Sequence, residues 1–119
     1  MDLSILIVSF KTKDYLAKAL ESLLKSETSY SFEIVVIDNN SQDGTVELVS
    51  QGFPSVNLIA NNFNEGFAIA MNQGFRGSTG KYVLSFNPDA EVKADTIDNL
   101  VSYLDKNPEI GLLAGCIQE

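Results

Sequence analysis

Apolar runs and helical periods alternate along this chain. Leu3 to Phe10 (LSILIVSF) reads as a strand buried on both faces, and Phe32 to Asp38 (FEIVVID) as a second. Val56 to Ala60 (VNLIA) is a shorter third, Lys81 to Asn87 a fourth, and Ile110 to Ile117 (IGLLAGCI) a fifth candidate. Such continuous runs, without strict alternation, indicate a parallel sheet covered on both sides.

Between the runs lie helical spacings. Leu16, Leu20, Leu23 and Leu24 share a face of a helix that Thr12 is placed to cap. Val46 and Val49 mark a short helix, with Ser41 as N-cap and Asp43 near its positive end. Phe67, Ala70, Met71, Gly74 and Phe75 repeat at i, i+3, i+4, i+7, i+8, in a helix ending by Gly80. Ile97, Leu100, Val101 and Leu104 do the same before Pro108, with Asp95 and Asp98 in the first turn, where the helix dipole favours negative charge. The expected fold is therefore α/β: a Rossmann-like, mostly parallel sheet with helices on both faces, joined by right-handed crossovers. No repeat, linker or low-complexity segment interrupts it, so residues 1–119 read as one domain.

Composition narrows the chemistry. The 119 residues include no His and no Trp, which removes imidazole bases and His-containing metal sites. The single cysteine, Cys116, forms no internal disulfide and lies among Ala114, Gly115 and Ile117 as a buried structural thiol would. A net charge of −8 argues against nucleic acid and against anionic membranes as non-specific partners. It also means that a phosphate ligand would need local relief from a metal, backbone N–H groups or a few placed cations. No apolar run approaches the ~20 residues that span a bilayer, and Met1-Asp2 opens no basic signal-peptide flank. A cytoplasmic protein is expected, with peripheral association at the inner face of a membrane as the variant.

Ligands of open α/β sheets bind beyond the carboxyl ends of the strands. Four polar segments stand there: Ser9-Phe10-Lys11, Asp38-Asn39-Asn40-Ser41, Asn61-Asn62-Phe63-Asn64 and Asn87-Pro88-Asp89. Asp38 follows four apolar residues and could accept from a base N–H or a ribose hydroxyl, or open an Asx turn. Ser9 and Phe10 could cradle a nucleobase, or Phe10 could be core and Lys11 solvated. Asn64-Glu65-Gly66-Phe67 precedes a helix, where Gly66 permits close backbone approach. Asn72 on that helix faces either the cleft or solvent, and Arg76 is read as solvated. Asp89, after Pro88, is a hard oxygen ligand at the rim of the sheet, suited to a divalent cation, or else part of a turn. Asn87 would support it, and Glu91 is read as surface.

These residues resemble the N-terminal half of family 2 glycosyltransferases with the GT-A fold, nearly end to end. The similar segments are Ser4-Ile5-Leu6-Ile7-Val8-Ser9-Phe10, Asp38-Asn39-Asn40-Ser41-Gln42-Asp43-Gly44-Thr45, Asn64-Glu65-Gly66-Phe67 with Asn72-Gln73-Gly74, Thr79-Gly80-Lys81-Tyr82, and Phe86-Asn87-Pro88-Asp89. The last stands where the family has its metal-binding DxD. The resemblance implies an inverting sugar transfer from a nucleotide-diphosphate sugar to an acceptor hydroxyl, on a saccharide or lipid-linked acceptor bound by the full-length protein. It implies a donor site formed by Ser9, Phe10, Asp38, Asn40, Gly66, Asn72 and Asn87, with Asp89 holding Mg2+ or Mn2+.

Two departures qualify it. Asn87 replaces the first DxD carboxylate, as in the rhamnosyltransferase-like subset. Family members also carry a second half with acceptor contacts and a catalytic Asp or Glu, so the chain is expected to be the donor-binding portion, inactive alone, with no base assignable. Apolar surface left uncovered would favour self-association. An alternative is a receiver-like signalling domain phosphorylated on Asp38, but Ser9-Phe10-Lys11 stands where its acidic pair belongs. A dinucleotide-dependent oxidoreductase lacks its glycine fingerprint here.

Overall fold

The computed structural model describes residues 1–107. Four strands and four helices alternate: β1 Leu3–Ser9, α1 Lys13–Leu24, β2 Phe32–Asp38, α2 Thr45–Gly52, β3 Asn57–Ala60, α3 Phe67–Arg76, β4 Tyr82–Ser85 and α4 Thr96–Lys106. All strand pairs are parallel, in the order β3-β2-β1-β4. This is the order of a Rossmann half, in which the third strand adds outside the second; a receiver-type sheet would set it beside the first. Ile110 to Ile117 and Cys116 lie outside the described residues.

The apolar runs account for the central pair. β1 and β2 are buried almost throughout, because both faces are covered. On one face Leu3, Ile5, Ile7, Ile34, Val36 and Leu84 pack with Leu16, Ala19, Leu20 and Leu23 of α1, Val49 of α2, and Ile97 and Val101 of α4. On the other, Leu6, Val35 and Ile37 meet Ala70 of α3. Right-handed crossovers explain the split: β1 to β2 to β3 steps one way across the sheet, whereas β3 to β4 returns, so its helix falls on the opposite face. α3 comes close because Gly74 has no side chain; a Cβ there would lie 2.7 Å from Cδ1 of Ile37.

Several local expectations are corrected. Leu24 is exposed and Ala19 takes its place in the buried stripe of α1. Thr12 occupies the N-cap position but makes no capping bond, its hydroxyl pairing with that of Ser9 at 3.1 Å. Phe67 and Phe75 are exposed, because the sheet beneath α3 takes up only Ala70 and Gly74 fully. α3 stops at Arg76 with Gly77 as its cap, four residues before Gly80. Gly80 instead brings its backbone against β1, donating its N–H to Ser4 Oγ at 2.8 Å. A Cβ at Gly80 would lie 2.5 Å from the Ser4 nitrogen. β3, an edge strand, begins one residue after Val56 and is only half-buried.

Candidate functional site

The register sets the geometry of the carboxyl edge. Ser9, Asp38 and Ala60 are level across β1, β2 and β3, and beyond β4 the N–H of Phe86 still reaches Leu6 O at 2.9 Å. Along the edge the order is therefore Asn61, Asp38, Ser9 with Phe10, then Asn87 with Asp89. Three inter-strand spacings of about 4.8 Å make this about 14 Å, comparable to an extended nucleoside diphosphate. The strand order reverses between β1 and β4, the place where such sheets take ligands.

Two strand-end loops are zipped together. Asn39 N–H donates to Ser9 O at 2.9 Å, and Lys11 N–H donates to Ser41 Oγ at 2.8 Å. Ser41 in turn donates its hydroxyl to Asp38 Oδ1 at 2.5 Å and its N–H to Asp38 Oδ2 at 3.1 Å. Ser41 is therefore not the cap of α2; it fastens Asp38 and the β1 loop. The Asx-type turn of Asp38 is formed, and the residue is 2% exposed. Lys11, Asn40 and Gln42 all have φ near +60°, a region that non-glycine residues seldom occupy and that accumulates at binding sites.

Asp43 does the capping. Its Oδ1 accepts the Thr45 hydroxyl at 2.5 Å and the Thr45 N–H at 3.1 Å, while Gly44 takes the N-cap position with φ 92°. Burial acts to raise the Asp43 pKa, but the Thr45 bonds, with the amides of Asp43 and of Lys13 in α1, outweigh it and hold the carboxyl below its ordinary value.

Asp38, Asn40, Gln42, Gly44, Thr45 and Asn61 line a cavity of ≈ 410 Å³, with Val46 and Glu47. Phe10 stands beside this edge, 41% exposed, with Lys11 Nζ 5.2 Å from its ring centroid. At the far end Asn87 to Ala90 form a turn, closed by Ala90 N–H to Asn87 O at 3.1 Å. Asn87 and Asp89 are exposed on it, as is Glu91. Gly66 opens α3 with φ 84° and ψ 167°, a backbone open to glycine alone. Asn72 is exposed on α3 and does not line the cavity; Arg76 is exposed as expected.

Sequence reasoning missed a set of side-chain amides. Asn39 is buried, and its Nδ2 donates to Gly66 O at 3.2 Å. Asn61 and Gln73 pair reciprocally, at 2.8 and 3.0 Å. The readable signal was Gln73 itself, a polar residue three positions after Ala70 on the buried stripe.

The sequence model of Glycosyl transferase family 2 matches residues 4–118. The chain belongs to glycosyltransferase family 2. An uncharacterized glycosyltransferase of Haemophilus influenzae is 32% identical over 111 residues, 93% of this chain and 37% of that protein. Among solved structures, S. aureus TarS 1-349 in complex with UDP-GlcNAc superposes with a TM-score of 0.76 at 24% identity, over 89% of this chain and 32% of that one. Mannosyltransferase PcManGT from Pyrobaculum calidifontis, in complex with GDP-Man and Mn2+, also gives 0.76, at 25% identity over 86% and 32%. The expected GT-A architecture is therefore that of the structural neighbours as well. The chain spans about a third of the length of the curated relatives it matches.

Proposed function

We propose that this family 2 domain is the donor-binding portion of an inverting glycosyltransferase, taking a nucleotide-diphosphate sugar whose sugar passes to a saccharide or lipid-linked acceptor. The observation that carries the reading is the order of groups along the carboxyl edge. Amide, carboxylate and aromatic groups at β3, β2 and β1 suit a base and ribose, and an exposed carboxylate at β4 suits the diphosphate. In this reading Asp38 and Asn40 meet the nucleoside from the cavity wall, Ser9 and Phe10 frame it, Gly66 approaches at the start of α3, and Asn87 supports the phosphate end. Asp38 has lone pairs beyond the two that Ser41 engages, so it can still accept from the ligand.

Asp89 is assigned Mg2+ or Mn2+. No group of three or more His, Cys, Asp or Glu side chains that could hold a metal occurs among the described residues. A cation at the exposed Asp89 would take its remaining ligands from substrate phosphates and water, the usual way of binding Mg2+ with a nucleotide. When bound, such a metal neutralises charge on the leaving nucleotide diphosphate. The chain's own part is to orient the donor: the zipped loops fix Asp38, and the turn at Asn87 presents Asp89. No residue is assigned as the base. A cytoplasmic setting, at or near the inner face of a membrane, belongs to the same proposal; no helix among the described residues is long and apolar enough to cross a membrane.

Calorimetry with uridine and deoxythymidine diphosphates, with and without Mn2+, tests this. Binding of at least one, strengthened by Mn2+, is expected. Asp89→Ala should abolish the Mn2+-dependent increment and leave the metal-free binding unchanged. Failure of a folded chain to bind either nucleotide sinks the proposal.

A further inference from the structure

The amide groups between β2, β3 and α3 do more than satisfy one another. Asn39 Oδ1 accepts from Asn61 Nδ2 at 2.9 Å and from Glu65 N–H at 3.4 Å, while its Nδ2 holds Gly66 O. Asn61 gives its second amide hydrogen to Gln73 Oε1 and accepts from Gln73 Nε2. The backbone joins in: Asn61 N–H donates to Asp38 O and Asn39 N–H to Ser9 O, both at 2.9 Å. Three side chains therefore connect the ends of β2 and β3 to the start of α3 and to its second turn, and a backbone bond adds the end of β1. Each side-chain donor and acceptor of Asn61 is used, and the assignment of oxygen and nitrogen is self-consistent around the set.

The set has a direction. Gly66 enters α3 at φ 84° and ψ 167° with no side-chain cap on the helix, and space around a Cβ there is open within 4 Å. Neighbouring atoms do not force Gly66 into this conformation. What fixes the turn is Asn39 on its carbonyl and Asn64 Oδ1 on its N–H, at 2.8 Å. Asn61 is at once a member of the set and a wall of the cavity beside Asp38. A shift of α3 would thus be felt at the ligand through Asn61.

We infer that Asn39, Asn61 and Gln73 form an amide clamp that positions the Gly66 turn and the Asn61 wall against the nucleoside end of the donor site. Gln73 is a positioning residue: it touches no ligand and acts through Asn61. This inference rests on the donor-site reading above. Asn39 is buried and Asn61 and Gln73 are half-buried, so removing one partner leaves the others short of a bond that water replaces only in part.

The test is nucleotide affinity, with uridine and deoxythymidine diphosphates and Mn2+ as probes. Gln73→Leu removes both bonds to Asn61 and nearly keeps the side-chain volume; it should weaken binding about tenfold, the effect of one or two lost hydrogen bonds, with an unchanged circular dichroism spectrum. Gln73→Glu keeps the acceptor but sets a second carboxylate oxygen against Asn61 Oδ1, so it should weaken binding at least as much as Gln73→Leu, and it serves if Gln73→Leu does not fold. The exchange Asn61→Gln with Gln73→Asn restores a reciprocal amide pair and should recover most of the affinity. Parent-like binding by both Gln73 variants overturns the clamp and leaves the donor reading standing. An exchange variant as weak as Gln73→Leu shows that amide pairing is not the cause and also overturns it. A parent chain that binds neither nucleotide removes the donor reading and the clamp together.

Discussion

Ser41 decides much at the scale of single residues. It is 2% exposed, and its hydroxyl both donates to Asp38 and accepts from Lys11 N–H. Its position before a helix suggested an N-cap; the same chemistry was put to another use, because Asp43 is two residues from Thr45 and reaches that amide directly. Ser41→Ala would deprive a buried carboxylate of its shortest bond and strand the Lys11 N–H. Leaving the buried carboxylate short of a partner in this way costs about 1–3 kcal/mol. Urea unfolding should show that loss as a lower midpoint with an unchanged slope. A midpoint equal to that of the parent would mean that water replaces the hydroxyl and that the two loops are not held together by it.

Elements show how much the sequence reveals and where it stops. β1 and β2 were legible because a doubly covered strand is apolar along most of its length, and α1 and α4 because a stripe of leucine, isoleucine and valine at helical spacing has one use. α3 was legible in place but not in its end or its orientation: Phe67 and Phe75 match the period as well as Ala70 and Gly74, and only the close approach allowed by Gly74 shows which residues face the sheet. The edge positions of Asp38 and Asp89 could be read from the strand ends. The amide clamp could not, since it depends on which strand lies beside β2. Glu33 is a further case, a carboxylate in β2 that fastens the turn after α3. Its Oε2 accepts the Ser4 hydroxyl at 2.5 Å and the Thr79 N–H at 2.7 Å. Burial acts to raise its pKa, but these bonds and the Thr79 hydroxyl outweigh it and hold the carboxyl below its ordinary value. The unfolded chain then binds the proton more tightly than the folded one, so Glu33 adds stability above the usual glutamate range near about 4.3. That stability is lost as pH falls through the lowered folded value. Urea midpoints across this acid range should fall with pH in the parent and fall less steeply in Glu33→Gln; parallel curves would show that Glu33 is not the group responsible.

The whole molecule is lopsided. Among the described residues one face of the sheet carries three helices and the other carries α3 alone. On and just before α3, Phe63, Phe67, Ile69 and Phe75 are each more than half exposed, and among the described residues β3 and β4 each leave one edge unpaired. Exposed apolar side chains and unpaired strand edges favour association between copies. The net charge of −8 opposes it, and the two terms respond differently to salt. Repulsion between like-charged copies weakens once the Debye length falls to about 10 Å, near 0.1 M salt, whereas contact between phenylalanine rings does not. We therefore expect reversible self-association that grows with protein concentration and also with salt, seen as a rising weight-average sedimentation coefficient. Phe67→Ser with Phe75→Ser should return the chain toward monomer at every salt concentration. Association that salt dissolves would point to ion pairs instead of this face, and a monodisperse monomer throughout would mean that the apolar side of α3 tolerates water in this chain.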